Sequence, residues 1–335
     1  MMLHNRTPLV VMAFPTEDLD GDPSLVVVAK GTFDVAKSEP VRWSASPSPI
    51  RTTAVPWDPS VPSSVRYEDD LAPFKVGTDV IVNATAYAPG GQRMPSWRAG
   101  VCVGGLKKFV TVTGPRAWVH APLLGWSLTP IVPVRHVPVR YELAFGGDGV
   151  AANPVGLGAC DLRKADTSQP IAVPRVLAGD GRVPELGELY PVEGLGAIAR
   201  TWQPRRARAG TFGEAWAKLG GRRLPEDFDG AFWNAAHLEL VADGFLRGDE
   251  EVRLTALHPE HAELTFRLPA VLVAAGAVYG SGYRHGTPAR LDTVLIDAEV
   301  LRVELTWRAA LPLFRGGVKA VHIATRPLAP IGGAS

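Results

Sequence analysis

The chain has 335 residues, of which 46% are hydrophobic, so it is long enough to bury a sizeable core. Its 35 Lys and Arg residues nearly balance its 34 Asp and Glu residues, and a net charge of +1 argues against nucleic-acid binding and against an acidic tail. Its 35 glycines and 30 prolines are spread along the chain, which favours many short strands joined by turns over disorder.

The N-terminal stretch MMLHNRTPLVVMAFPTEDLDGDP does not have the features of a signal peptide. Its apolar run is short and leads into acidic residues without a small-residue cleavage site. The DLDGD segment within it resembles the start of a calcium loop. Such a loop needs Gly and Glu where this chain has Pro23 and Ala29, so we expect an exposed acidic turn. The next stretch, Ser24 to Val35, is rich in β-branched residues and predicts a buried strand.

The stretch FKVGTDVIVNATAYAPGG, from Phe74 to Gly91, alternates like a strand. Val80, Val82 and Ala84 fall on one face, and Asp79, Ile81, Asn83 and Thr85 fall on the other. The closing Pro-Gly-Gly predicts a turn. No helical pattern follows it, so the glycines are not those of a phosphate-binding loop.

A hairpin is predicted from Trp97 to Gly114, with its turn at Gly104-Gly105. The segment VPVRYELAF predicts another strand, which places the side chains of Val137, Val139, Tyr141 and Leu143 on one face. Between them, GWSLT lacks the closing glycine of a nucleophile elbow and is interpreted as a turn. The apolar stretch VHAPLLGWSLTPIVPV is interrupted by prolines, so we expect no transmembrane helix there.

The middle of the chain is irregular, and Pro, Gly and Arg dominate it. It contains one predicted helix, TFGEAWAKLGG, in which Thr211 and Glu214 form a capping box. Phe212, Trp216 and Leu219 share one face of this helix. Long loops flank it, and long ordered loops usually carry function or contact a partner.

The last third returns to strands. In ELTFRLP the residues Leu264, Phe266 and Leu268 are expected to face inward. In LRVELTWR the apolar set begins at Leu301, and a polar set alternates with it from Arg302 onward. This alternation predicts a sheet with one buried face and one solvated face.

Other short motifs fail the spacing tests for their chemistry. HPEH (His258 to His261) has a proline between its histidines and lies among strands, so a turn is favoured over a zinc site. GSGYRHG has the wrong glycine spacing for a dinucleotide-binding loop. Asp227 and Asp229 of DFDG are candidates for paired catalytic carboxylates, although adjacent acids are common on solvated surfaces. We therefore predict no catalytic residue, no metal site and no cofactor.

The segment RTWQPRRARAG is basic and contains a tryptophan. Arg and Trp are enriched among the residues that anchor protein interfaces. We therefore predict that Trp202, Arg205, Arg206 and Arg208 form a partner-binding loop, with a solvated basic loop as the alternative. The two cysteines, Cys102 and Cys160, encode no disulfide framework, which indicates a reduced cytoplasmic protein.

An ordered set of segments resembles the domain-of-unknown-function family 2169, which is found beside bacterial type VI secretion genes. The set comprises DLAPFKVGTDVIVNATAYAPGG, KKFVTVTGPRAW, PVRYELAFGG, NPVGLG, ARTWQPRRARAGTFGEAWAKLGGRRLPEDFD and LDTVLIDAEVLRVELTWR. The resemblance implies a chaperone or adaptor that holds a secreted toxin effector and helps to load it onto the secretion spike, often through a PAAR-repeat tip domain. It implies no catalytic residues. In that setting Lys75, Thr78 and Asp79 are expected to fix the start of the strand and the turn geometry, with client binding as the alternative.

Together these patterns predict a mainly β fold of antiparallel, sandwich-like sheets with few short helices. We expect a β-rich region over residues 1–145, a loop-rich middle over 146–235 and a second β-rich region over 236–335 that packs with the first as one compact unit. The expected partners are an effector protein and a PAAR-repeat or spike protein, without nucleic acid or membrane. A carbohydrate-active β hydrolase and a structural part of the secretion apparatus stay open as alternatives.

Overall fold

β-Strands dominate the protein. The structure is a computed structural model that describes residues 1–18, 20–36, 41–213, 216, 218, 223–314 and 316–328. Strands make up 43% of it and helices 6%, so the prediction of a mainly β fold is confirmed. Within the described ranges, no helix is long and apolar enough to cross a membrane.

Most strands are short, and the longest ones belong to the larger sheets. In chain order they are β1 (Met2–Asn5), β2 (Val10–Glu17), β3 (Pro23–Asp34), β4 (Arg42–Trp43), β5 (Val55–Pro56), β6 (Val65–Tyr67), β7 (Asp79–Asn83), β8 (Thr85–Tyr87), β9 (Ser96–Val103), β10 (Leu106–Thr113), β11 (Ala117–Ala121), β12 (Gly125–Leu128), β13 (His136–Pro138), β14 (Phe145–Gly146), β15 (Leu157–Gly158), β16 (Ile171–Ala172), β17 (Val176–Ala178), β18 (Glu251–Thr255), β19 (Glu263–Arg267), β20 (Val271–Tyr279), β21 (Arg284–Pro288), β22 (Arg290–Asp297), β23 (Arg302–Pro312) and β24 (Val318–Pro327). The helical elements are α1 (Arg205–Arg208) and the 3-10 turns Pro89–Gly91, Tyr141–Leu143, Gly230–Trp233 and Leu238–Leu240.

Three larger sheets organise these strands. A six-stranded sheet has the order β2-β3-β23-β22-β7, with β4 paired to β3, and only β22 and β7 run parallel in it. A five-stranded sheet has the order β17-β10-β9-β18-β19, and a four-stranded sheet has the order β1-β24-β20-β21. The six-stranded sheet matters most for the candidate site, because β2 forms one of its edges.

One hydrophobic core joins the two largest sheets. Its members include Val27 of β3, Val303 of β23 and Val101 of β9, all of which are essentially inaccessible. Residues of the middle region, among them Leu195 and Trp202, belong to the same cluster. The core therefore draws on the first, middle and last regions of the chain.

The second face of the six-stranded sheet corrects a prediction. The alternation in β23 predicted a solvated polar face, but Glu304, Thr306 and Arg308 are all buried. A segment of residues 44–78 covers them, so that Arg51 reaches Glu304 with a 2.6 Å contact between Nη1 and Oε2. Buried charges must be paired, because an isolated ion in the interior is strongly destabilising. The polar stripe is therefore an internal ion-pair network and not a wet surface.

Most other predicted elements are confirmed, and two are wrong. The strand at Ser24–Val35 and the hairpin of β9 and β10 form as expected, and Gly104 at the hairpin turn has a positive φ of 54°. The predicted strand VPVRYELAF ends at Pro138, and Tyr141–Leu143 forms a 3-10 turn instead. GWSLT is not a turn, because Gly125–Leu128 is strand β12, which pairs with β11.

Several short motifs are turns, as the sequence indicated. The Asp18 carboxylate accepts hydrogen bonds from the backbone N–H groups of Asp20 and Asp22, so the three acids of the DLDGD segment form an exposed turn. His258 and His261 lie between β18 and β19. In the GSGYRHG segment, residues 280–283 connect β20 to β21, and the last three residues belong to β21. Cys102 and Cys160 are free thiols.

Candidate functional site

Two residues of the basic segment, Trp202 and Arg205, are internal, which corrects the prediction of a partner-facing position for these two. The Trp202 side chain is 6% exposed and packs edge-on against Tyr141. Arg205 is 2% exposed, and its Nη2 atom lies 3.2 Å from a Glu68 carboxylate oxygen. Both side chains are committed to contacts inside the molecule, so neither presents a surface to a partner.

The two remaining predicted residues differ from this pair. Arg206 is exposed, and Arg208 is half-buried beside Asp229, with 3.6 Å between Nε and a carboxylate oxygen. A role of Arg206 and Arg208 in partner binding stays a prediction. Sequence composition could not separate the two pairs, because interface anchors and buried structural residues share the same enrichment in Arg and Trp.

Arg205 and Arg208 hold the 3-10 turn Gly230–Trp233 in position through hydrogen bonds to its backbone. The Arg205 Nε atom donates to the Phe232 carbonyl oxygen at 3.0 Å, and the Arg208 Nη1 atom donates to the Ala231 carbonyl oxygen at 3.3 Å. These bonds fix the 3-10 turn Gly230–Trp233 against α1. The basic segment thus supports a wall that carries aromatic side chains.

That wall is an aromatic cluster. The ring of Phe212 lies 5.3 Å from Phe228 and 6.2 Å from Trp233 between centroids, and Phe232 lies 5.0 Å from Trp233. Edge-on contacts of this kind stabilise beyond the area that they bury. Trp216 adds a further ring, 5.2 Å from Phe212. The capping box and helix face predicted there also involve Glu214 and Leu219, which lie outside the described residues.

The two acids proposed for a hydrolase have structural bonds. The Asp227 carboxylate accepts from the Thr211 backbone N–H and hydroxyl, both at 2.9 Å. These bonds lower the pKa of Asp227, whereas a general acid needs a raised pKa. Asp229 accepts from the Ala231 N–H at 2.9 Å and so caps the 3-10 turn. Both carboxylates hold the aromatic wall in place.

A groove of about 610 Å³ lies between this wall and the end of β2. Most of its lining is apolar, and the polar lining residues lie at the β2 end. The lining residues are Pro15, Thr16, Glu17, Asp18, Pro23, Leu71, Pro73, Phe74, Phe212, Trp216, Leu224, Trp233 and Leu313. A concave apolar site with a few polar groups is the usual form of a binding site. We define this feature as the aromatic groove.

The aromatic groove continues into a second cavity of about 230 Å³. The two cavities share five lining residues, Thr16, Glu17, Asp18, Pro73 and Phe74, and the lining of the second also includes Asp20. The described lining of both cavities contains acids but no Lys or Arg. The groove therefore has an acidic rim, formed by Glu17, Asp18 and Asp20, which favours a ligand that carries positive charge beside apolar groups.

Lys75, Thr78 and Asp79 have the structural role that the sequence suggested. The Lys75 ammonium lies 2.7 Å from an Asp79 carboxylate oxygen, and both side chains are almost fully buried. Asp79 also accepts from the backbone N–H of Ala235 at 2.9 Å. The Thr78 hydroxyl donates to the Leu291 carbonyl oxygen and accepts from the Leu246 N–H. These bonds attach the start of β7 to two distant segments of the chain.

One group of side chains has the composition of a metal site. Glu193, His237 and Glu239 bring candidate ligand atoms within 4.8 Å of one another, the one such group among the described residues. The buried Lys108 ammonium lies 2.6 Å from Glu193 and 2.8 Å from Glu239. Its hydrogen bond lowers the pKa of Glu239, and burial lowers the pKa of His237. The ammonium bridges the two carboxylates and offsets one of their two negative charges, so the group functions as an ion-pair cluster with Glu239 at its exposed side.

Sequence reasoning missed most of the groove. Phe74, Trp233 and Leu313 come from distant parts of the chain and belong to no shared motif. The available signal was the run of aromatics in DFDGAFWN, which follows the predicted helix with Phe212 and Trp216. Only the fold shows that these aromatics meet β2.

Comparison with known proteins yields one match. The family model for uncharacterized proteins conserved in bacteria, DUF2169, matches residues 20–308, which is most of the chain. No curated protein and no solved structure matches the chain.

Proposed function

The chain belongs to the DUF2169 family of uncharacterized bacterial proteins, and from that premise we propose that it is a chaperone or adaptor for a toxin effector of type VI secretion. In this proposal the protein holds the toxin in the cytoplasm and helps to load it onto the secretion spike, with a PAAR-repeat tip domain as the point of attachment. Nucleic acid, membrane and cofactors have no part in it.

The aromatic groove is the observation that carries this proposal. Phe74, Phe212 and Trp233 line an open apolar surface that the described residues leave unfilled. Aromatic side chains dominate the binding free energy of protein interfaces, because they bury large areas at a small entropic cost. A groove of this kind suits a polypeptide segment of a client better than a small polar substrate.

The scaffold around the groove supports a binding role. Asp227 and Asp229, the acids of the hydrolase alternative, are bonded to Thr211 and Ala231 in the wall of the groove. The internal ion pair of Lys75 with Asp79 fixes the start of β7, in the same sheet as β2. In this proposal a preorganised sheet lowers the entropic cost of binding a partner.

Binding of the folded client raises its stability by mass action. When free chaperone exceeds the dissociation constant about a hundredfold, the client gains about 2.7 kcal/mol against unfolding. A toxin that is protected in this way reaches a higher level in the cell. Loss of the chaperone should therefore lower the level of the toxin before it affects secretion in general.

The test is deletion of the gene, with complementation in trans. We expect the toxin encoded beside this gene to fall in abundance and to be no longer delivered, while unrelated spike components are still secreted. Normal abundance and delivery of the toxin in the deletion strain would refute the proposed function. Appearance of the protein itself in the secreted fraction would favour a structural part of the apparatus.

A further inference from the structure

Strand β2 is an exposed edge of the six-stranded sheet. It pairs with β3 along one side, and within the described chain no strand pairs with its other side. Its residues 10–14, Val-Val-Met-Ala-Phe, are all apolar and half-buried. Proteins usually protect such an edge with charge, a bulge or a covering loop, since it readily pairs with another strand. The pairing of β2 with β3 has no bulge.

The register identifies the backbone groups of β2 that face outward. The Pro23 carbonyl oxygen accepts from the Leu313 N–H, so the backbone groups of Pro23 point away from β2. Glu17 is the antiparallel partner of Pro23, and its own groups therefore also point away from β3. The orientation alternates along a strand, so the N–H and C=O groups of Val11 and Ala13 point outward as well. Within the described residues, none of these outward groups of Val11 and Ala13 has a partner.

Pro15 has the same orientation and has no N–H group. In an edge strand, proline occupies positions where the backbone nitrogen faces away from the neighbouring strand, so no hydrogen bond of the sheet is lost. The register places Pro15 at such a position. A strand that adds to β2 can therefore form backbone hydrogen bonds with Val11 and Ala13. The series of bonds is interrupted at Pro15, which has no N–H to donate. Pro15 also lines the aromatic groove, whose acidic rim of Glu17, Asp18 and Asp20 begins two residues later.

We infer that β2 binds an extended segment of the client by strand addition, and that the groove takes the end of that segment. The segment has apolar residues in β conformation opposite Val11 and Ala13, and Lys or Arg residues at the acidic rim. Backbone bonds give affinity in this mode, whereas the groove and the rim select the side chains. This inference rests on the proposed function, because it names the part of the client that is recognised.

Peptide binding tests the inference directly. The probe is a fluorescein-labelled Lys-Lys-Val-Thr-Val-Thr-Val-Thr-Val peptide, and its binding is measured by fluorescence anisotropy. We expect binding to be roughly tenfold weaker when Glu-Glu replaces Lys-Lys, because charge attraction is lost. With Lys-Lys at the acidic rim the peptide runs antiparallel to β2, so the amides of the Val residues opposite Val11 and Ala13 face β2 and those of the Thr residues point away. N-methylation of the Val amides should therefore weaken binding by roughly tenfold, whereas N-methylation of the Thr amides should leave it unchanged. Equal binding of all these peptides, or no binding of the parent peptide, would overturn the inference.

A matched pair of variants tests the edge of the protein. Ala13→Pro removes an outward N–H and leaves the bonds between β2 and β3 intact, whereas Ala13→Val keeps the N–H and adds similar bulk. We expect Ala13→Pro to weaken peptide binding and capture of the co-expressed toxin roughly tenfold more than Ala13→Val does, because only Ala13→Pro removes the donor. Circular dichroism melts show whether both variants fold. If Ala13→Pro does not fold, the N-methylated peptides test the inference on the wild-type protein instead.

The outcomes separate this inference from the proposed function. Toxin that depends on the gene but is captured equally by wild type and Ala13→Pro would refute strand addition and leave the chaperone role intact. A wild-type dimer that becomes a monomer in Ala13→Pro, measured by sedimentation, would assign β2 to a second copy of the chain and overturn the inference.

Discussion

The indole of Trp202 meets the ring of Tyr141 edge-on, with 5.7 Å between the ring centroids. The Tyr141 hydroxyl donates to the Gly196 carbonyl oxygen at 3.2 Å, and burial raises the pKa of Tyr141 well above its ordinary value. Trp202 is therefore held in the core by a ring that is itself fixed. The contact explains why a segment with the composition of an interface stabilises the fold.

Truncation of Trp202 should destabilise the protein. Trp202→Ala leaves a large cavity beside Tyr141, and such changes typically cost about 3–5 kcal/mol. Arg206→Ala is the matched control from the same segment, since its exposed side chain predicts a change within about 0.5 kcal/mol. Urea unfolding followed by circular dichroism measures both. A Trp202→Ala variant as stable as wild type would contradict the assignment of Trp202 to the core.

The buried pair of Lys75 and Asp79 should be strongly coupled. Asp79→Asn leaves the Lys75 ammonium buried without its counter-charge, which should cost roughly 3–5 kcal/mol. The double variant Lys75→Met/Asp79→Asn removes both charges and should cost less than the sum of the single changes. Arg253→Ala is a control, because its ion pairs are exposed and contribute little. Additive effects of the two single changes would show that the pair has no special role.

The Tyr67 hydroxyl should ionise at a higher pH than an ordinary tyrosine. Burial and the 2.6 Å hydrogen bond from its hydroxyl to Asp297 raise the pKa of Tyr67 to about 12 from a model-peptide value of 10.0. A raised pKa in the folded state gives a contribution to stability that is complete below pH 10 and is lost as the pH rises through about 12. The difference in absorbance at about 295 nm between wild type and Tyr67→Phe reports this titration. A midpoint near pH 10 would contradict the buried hydrogen bond.

Folding should not depend on a metal ion. Lys108 already bridges Glu193 and Glu239 as their shared counter-charge, so an excess of EDTA should leave the melting temperature unchanged. Lys108→Met removes the ammonium and should destabilise the protein, because the carboxylates lose their counter-charge. Loss of the cooperative melt of the wild-type protein on addition of EDTA would show that the prediction is wrong.

Local patterns in the sequence predicted the strands well, because strand periodicity depends on neighbouring residues. The inward set of β23, which includes Val303 and Trp307, was assigned correctly. Its polar set was assigned to solvent, because nothing in the alternation shows that residues 44–78 fold over Glu304 and Arg308. Burial by a distant segment leaves no local signal.

The candidate site could be predicted only in part for the same reason. Phe212 and Trp216 were recognised as a shared apolar face, which the groove uses. Arg205 was assigned to an interface because its partners, Glu68 and the Phe232 carbonyl, are far away in the sequence. The groove itself depends on the approach of β2 to the aromatic wall, which is a property of the tertiary fold.

The central claim is that the acidic rim and aromatic groove bind the client. Glu17→Lys/Asp20→Lys reverses two charges at the rim, and both side chains are exposed, so the fold should tolerate the change. The matched control, Glu185→Lys/Glu260→Lys, makes the same change in net charge at exposed positions that line neither cavity.

The most direct measurement is the dissociation constant for an inactive form of the neighbouring toxin, determined with wild type and with both double variants. We expect the rim variant to bind roughly thirtyfold more weakly, which corresponds to about 2 kcal/mol, while the control binds like wild type. Equal affinity of wild type, rim variant and control for the toxin would contradict the account.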